Sequence, residues 1–125
     1  AALRVLVQGF IDLGLCQGSV AAVIESEDYK RFYMHRTGHW LGLDVHDAGE
    51  YKHDGNWRPL QPGMTLTVEP GCYIRPADKV PEHFWNIGVR IEDDVVVTGA
   101  GCEVLTLAAP KTVAEIEELM RAGGV

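Results

Sequence analysis

Between Ala2 and Leu15 the apolar residues Leu3, Leu6, Val7, Phe10 and Leu13 recur at the spacing of one helical face, and Gly14 stands where such a helix would stop. Ser19 reads as the N-cap of a short second helix through Val20, Val23 and Ile24, running out in the polar stretch Glu25 to Lys30. From Phe32 to Asp47 the pattern changes. Aromatic residues, histidines and the glycines Gly38 and Gly42 predict strand and loop there, because glycine weakens a helix interior. The polar stretch Gly49 to Pro62 predicts loop. Met64 to Val68 alternates, Pro70 and Gly71 interrupt it and Cys72 to Ile74 resumes, so two strand pieces around a bend are expected. Pro76 to His83 is a further loop. Asn86 to Thr98 carries the strongest strand signal: Ile87, Val89 and Ile91 share a face, Asp93 and Asp94 read as a turn, and Val95 to Val97 as the returning strand of a hairpin. Val113, Ile116, Leu119 and Met120 end the pattern at helical spacing, with Thr112 as N-cap and Gly123 beyond the end.

A chain of 125 residues, 46% hydrophobic, has enough apolar surface for one domain with a core of its own. The cysteines Cys16, Cys72 and Cys102 are odd in number and widely spaced, which points away from a disulfide framework or a structural zinc site and toward a reducing cytoplasm. A net charge of −7 speaks against nucleic acid as a partner. No apolar run approaches the ~20 residues that cross a bilayer, so no membrane association is expected. The chain opens without Met and inside a helical pattern, which leads us to expect further sequence upstream.

Divalent metals are held by neutral imidazole nitrogen and carboxylate oxygen converging on one point. His35, His39 and His46 fall within twelve residues, and Glu69 and Glu92 adjoin apolar strand segments instead of obvious solvent faces. Each has a bland alternative: a surface or hydrogen-bonded histidine, an edge-strand glutamate. In a strand from Ile87 to Glu92, Arg90 and Glu92 project to the same side, either as a functional pair or as a solvent-facing ion pair of small worth. Glu69 ends an alternating run just before Pro70 and Gly71, a strand end at a bend.

Three ordered blocks then become recognisable: His35-Arg36-Thr37-Gly38-His39-Trp40-Leu41-Gly42-Leu43-Asp44-Val45-His46-Asp47, Leu66-Thr67-Val68-Glu69-Pro70-Gly71, and Gly88-Val89-Arg90-Ile91-Glu92-Asp93-Asp94. Together they resemble the aminopeptidase P (Xaa-Pro aminopeptidase) family of pita-bread metallopeptidases, from about Ala2 to Met120. The resemblance implies an α+β fold, a curved antiparallel sheet backed by helices, with residues 1–125 as a single partial domain from the C-terminal part of the catalytic domain. It implies hydrolysis of the bond between a first residue and a proline at the second position of a peptide, with two manganese ions. By motif it implies His39, Glu69 and Glu92 as metal ligands, and a further role for Glu69 in orienting or deprotonating the attacking water. His35 and His46 become flanking histidines that bind substrate and assist proton transfer, and Arg90 a supporting arginine.

The family's two remaining ligands are aspartates from strands that have no counterpart in this chain; Asp12 and Asp28 lie in or beside the helical front and are not substitutes. Two glutamates against the four positive charges of a divalent pair leave the site short of neutralising charge. The isolated chain is therefore expected to be inactive, and metal-free or weakly binding one divalent ion, with zinc or nickel favoured over manganese by intrinsic affinity. A half-fold would also leave a sheet edge and apolar surface open, which predicts a homo-oligomer formed through that edge. Two other readings stand beside this one: a non-catalytic pita-bread module that binds peptides, and a fragment of a prolidase-type dipeptidase.

Overall fold

The computed structural model describes residues 1–123. Helix α1 spans Ala2–Asp12 and α2 spans Val20–Glu25, the latter capped by Ser19, whose Oγ accepts from the Ala22 amide at 3.2 Å. Seven strands follow: β1 Lys52–His53, β2 Asn56–Trp57, β3 Thr65–Val68, β4 Gly71–Ile74, β5 Ile87–Arg90, β6 Asp93–Thr98 and β7 Gly101–Val104. Helix α3, Val113–Ala122, ends the described chain, opened by a capping box in which Thr112 and Glu115 satisfy each other's backbone amides. This is the α+β arrangement of antiparallel sheet and helices that the motifs implied.

The core gathers where α1 and α2 meet the far end of β4. Val7, Phe10, Val23, Phe32, Tyr33, Ile74 and Val80 are buried, and the Phe10 and Phe32 rings pack tilted with centroids 5.6 Å apart. Leu3, Leu6, Val7 and Phe10 of the periodic face read from α1 thus lie on the face it packs against the core, whereas Leu13, past the end of the helix, is exposed. Helix α3 differs: it forms as expected, but none of its residues is buried, so its apolar stripe meets no partner among the described residues.

Strand pairing departs from the local hairpin expected over Asn86–Thr98. β5 does not turn back on β6; it pairs antiparallel with β4, while β6 pairs with β3 on one side and β7 on the other. Asp93 and Asp94 are strand residues. A two-residue reversal favours residues that accept positive φ, such as Asn and Gly. The chain reverses instead over residues 75–86, entering β5 through Asn86 at φ 65°. Gly49 to Pro62 likewise is not all loop: β1 and β2 form a small hairpin closed by Asp54 and Gly55, both at positive φ. The Asp-Gly pair is a hairpin signal of its own.

The two ladders share one register. Thr65 faces Val96 and Val68 faces Asp93 in the first, and Gly71 faces Arg90 and Ile74 faces Ile87 in the second. Counting across the gap between them sets Glu69 opposite Glu92 and Pro70 opposite Ile91, whose amide donates to the Pro70 carbonyl at 3.3 Å. One long antiparallel pair is therefore interrupted at a single point. Proline, which has no amide to donate, stands at that interruption.

The stretch Phe32–Asp47 contains no regular strand, yet residues 37–41 run antiparallel along β3. Glu69 donates its amide to Thr37 O, Thr67 to His39 O, and Leu41 to Thr65 O. Gly38 permits this approach, since a Cβ there would overlap the Thr67 carbonyl. Alternation now sorts the side chains: Thr67, Glu69 and Tyr73 share a face with Arg90 and Glu92, while Leu66, Val68, Val89 and Ile91 share the other.

Candidate metal centre

Glu69 is the centre of the polar face. Its carboxylate is buried at the strand end, and its Oε1 lies 3.4 Å from His39 Nε2. Thr67 donates its hydroxyl to the same Oε1 at 3.2 Å and accepts the His39 amide at 3.1 Å, so one threonine fixes both residues. Arg90 reaches Glu69 Oε2 through Nη1 at 3.3 Å. The arginine thus serves Glu69 across the strand gap and makes no ion pair with Glu92, which shares its strand face.

His39, Glu69 and Glu92 each place a ligand atom within 4.8 Å of the others. The imidazole is set up for this: Nδ1 lies 2.9 Å from the Trp40 carbonyl, an acceptor only, so Nδ1 carries the proton. That leaves the Nε2 lone pair directed at the carboxylate oxygen. With the ring neutral, two lone-pair donors face each other at 3.4 Å with a second carboxylate directly across the strands, an arrangement that a cation would stabilise. Chemically the donor set fits a divalent ion.

The other residues singled out from the sequence fall around this cluster at different ranges. The His46 ring packs edge-on against His39, with centroids 4.2 Å apart, although the loop that carries it is exposed. His35 is not in the cluster. Its Nδ1 lies 2.7 Å from the Arg36 carbonyl, so the neutral ring accepts at Nε2 from the Tyr73 hydroxyl, 2.8 Å away. His35, Tyr73 and Arg90 together line an open cavity of about 440 Å³. A smaller cavity, about 220 Å³, is walled largely by Trp40, Tyr51, Trp57, Leu66 and Val68 and draws on the apolar side of the sheet.

Thr67 and Tyr73 were not among the candidates. Both lie at even steps from Glu69 along the strand pair, so alternation was the available signal. What alternation did not carry was the straight continuation of the pleat across Pro70.

The matched family model, metallopeptidase family M24, covers residues 8–99, which include all three donors. The chain belongs to metallopeptidase family M24. Among its relatives in sequence, the Xaa-Pro aminopeptidase of Haemophilus influenzae is 52% identical over 118 residues, 94% of this chain and 27% of the relative. That of Escherichia coli is 50% identical over 94% of this chain and 26% of its own length. In structure, the aminopeptidase PepP of Pseudomonas aeruginosa superposes with a TM-score of 0.91 at 61% identity, over 96% of this chain and 27% of that one. Aminopeptidase P of E. coli with the inhibitor Pro-Leu gives 0.87 at 50%. The chain therefore has part of the pita-bread fold of these M24 enzymes and spans about a quarter of the length of the curated relatives it matches.

Proposed function

We propose that these residues form the C-terminal share of the active site of an Xaa-Pro aminopeptidase, hydrolysing the bond between the first residue of a peptide and a proline behind it. The observation that carries this reading is the opposition of Glu69 and Glu92 across an interrupted strand pair, with His39 Nε2 facing Glu69 at 3.4 Å. His39 would hold a metal through Nε2, and Glu69 and Glu92 through their carboxylates. A divalent metal bound there, manganese in our reading, supplies Lewis acidity and lowers the pKa of water.

The residues divide the remaining work. Thr67 orients Glu69 and ties down the His39 backbone, so the donors keep their spacing before any ion arrives. Arg90 neutralises part of the charge on Glu69 and lines the cavity beside it. His46, against the His39 ring, and His35, hydrogen-bonded to Tyr73, flank the cluster on two sides and would bind substrate and assist proton transfer there. An open cavity bordered by His35, Tyr73 and Arg90 would receive the peptide.

By itself the chain is proposed to be inactive. A dinuclear centre needs more anionic oxygen than two glutamates provide, so the 125-residue chain should hold at most one ion, weakly. Calorimetric titration with manganese, run beside hydrolysis of an Xaa-Pro-Xaa peptide, tests both statements. Weak binding lost in Glu92→Ala, with no turnover, is the expected outcome. Turnover abolished by the same substitution would mean that an assembly of chains completes the centre; absence of both binding and turnover would support an incomplete site, and binding that Glu92→Ala leaves unchanged would remove the metal reading.

A further inference from the structure

Glu92 sits in the break between β5 and β6, and its placement depends on what holds the start of β6. On the near side the chain is fixed by the β4–β5 ladder and the Ile91 amide on Pro70. On the far side a separate set of contacts takes over. Asp93 Oδ1 accepts from Lys111 Nζ at 2.5 Å and from the Thr106 hydroxyl at 2.7 Å. The same Thr106 oxygen accepts the Asp94 amide at 3.1 Å, Leu105 donates its amide to the Asp94 carbonyl at 2.8 Å, and Lys111 Nζ also donates to Thr106 O. Four hydrogen bonds thus bind residues 105–111 to the two residues that follow Glu92, and the Lys111 bond to Thr106 O braces the segment itself. The lysine and aspartate side chains are 24% and 26% exposed, unlike the open ion pairs on the helices, where charges contribute little.

We propose that Lys111 and Thr106 are positioning residues for the metal centre, clasping the start of β6 so that the Glu92 carboxylate is held opposite Glu69. This rests on the reading of Glu92 as a metal ligand. The physical reason is the repulsion built into the site: two carboxylates directly across a strand pair push apart, and Glu92 stands where the ladder gives it no bond of its own among those described. Without the clasp, the chain end that can yield is the first turn of β6. Lys111 itself never approaches the donors; it acts through Asp93 on the opposite face of the strand.

The test compares wild type, Lys111→Met, Lys111→Arg, Thr106→Val, Glu92→Ala and the double variant Lys111→Met/Glu92→Ala in the 125-residue chain, with manganese and zinc as probes. Amide exchange over residues 92–94, read by mass spectrometry in metal-free buffer, should rise roughly tenfold in Lys111→Met and Thr106→Val while the β3 amides stay protected. Lys111→Arg should retain much of that protection. Metal affinity should fall three- to tenfold in Lys111→Met, but the same change should cost nothing further in the Glu92→Ala background, since it acts through that carboxylate. Unchanged exchange at residues 92–94 overturns the clasp, as does a double variant whose affinity loss is the product of the two single losses. If wild type binds neither metal, the donor set of this chain is incomplete by itself, and the exchange comparison still decides whether the clasp holds Glu92.

Discussion

Replacing Glu92 by glutamine should stabilise the metal-free chain and weaken it relative to wild type once metal is present. Glu69 and Glu92 bring carboxylate oxygens within 4.8 Å of each other. At that separation two unit charges repel by about 3.5 kcal/mol for an effective dielectric of ~20 and by roughly 0.9 kcal/mol in bulk water. Glu92 is exposed and Arg90 already offsets part of the charge on Glu69, so the lower figure is the relevant one. Glu92→Gln keeps the shape and removes the repulsion, a gain of about 1 kcal/mol, or ~4 °C in Tm for a domain of this size. Metal reverses the order: an ion at a hundred times its Kd stabilises the chain that binds it by about 2.7 kcal/mol, and the variant should gain much less. Urea unfolding of both proteins, in chelator and in manganese, reads the crossing of the two stabilities directly. A variant less stable than wild type in chelator would refute the repulsion argument. Equal stabilisation of both by metal would show that Glu92 is not a ligand.

Gly38→Ala should destabilise the fold by about 2 kcal/mol and loosen residues 37–41 from β3, because the added Cβ overlaps the backbone carbonyl of Thr67, which cannot swing aside; urea denaturation that matches wild type would contradict this. The Glu115 carboxyl is held below its ordinary pKa of 4.5 chiefly by the backbone amides of Thr112 and Lys111. Its share of α3 stability is therefore present above that value and lost as the pH falls through the lowered one, so helical circular dichroism should drop as the pH is taken below 4.5, and Glu115→Gln should remove that step. Ile87 and Val89 of β5 and the following Ile91 are exposed, and the outer edge of β5 pairs with no strand among the described residues. We expect the chain to self-associate there, and Val89→Lys to shift it toward monomer in light scattering; a wild-type chain that is monodisperse and monomeric at micromolar concentration would refute this.

Much of the site could be read before any fold was known, because its parts are local. The spacing of His35, His39 and His46, and the positions of Glu69 and Glu92 beside apolar strand segments, are properties of short stretches. The helices were equally legible: α1 buries the Val7 and Phe10 face that its period predicts, and Ser19 and Thr112 cap where expected. Alternation also ranked which side chains share a face within each strand. What local pattern could not reach was which strands pair. A hairpin at Asp93–Asp94 closes the shortest loop, and loop entropy favours it, but only slightly, since closure cost grows with the logarithm of length. The longer reversal over residues 75–86 buries Val80 and Ile74 with the helices, a gain of the order of 2 kcal/mol per side chain that outweighs the difference. That choice sets Glu69 against Glu92 and carries the Lys111 clasp to Asp93. The sequence by itself determined which residues could bind a metal and which faces were apolar; the tertiary structure decided that two glutamates far apart in the chain stand opposite each other, because a paired register is a property of two segments and of neither alone.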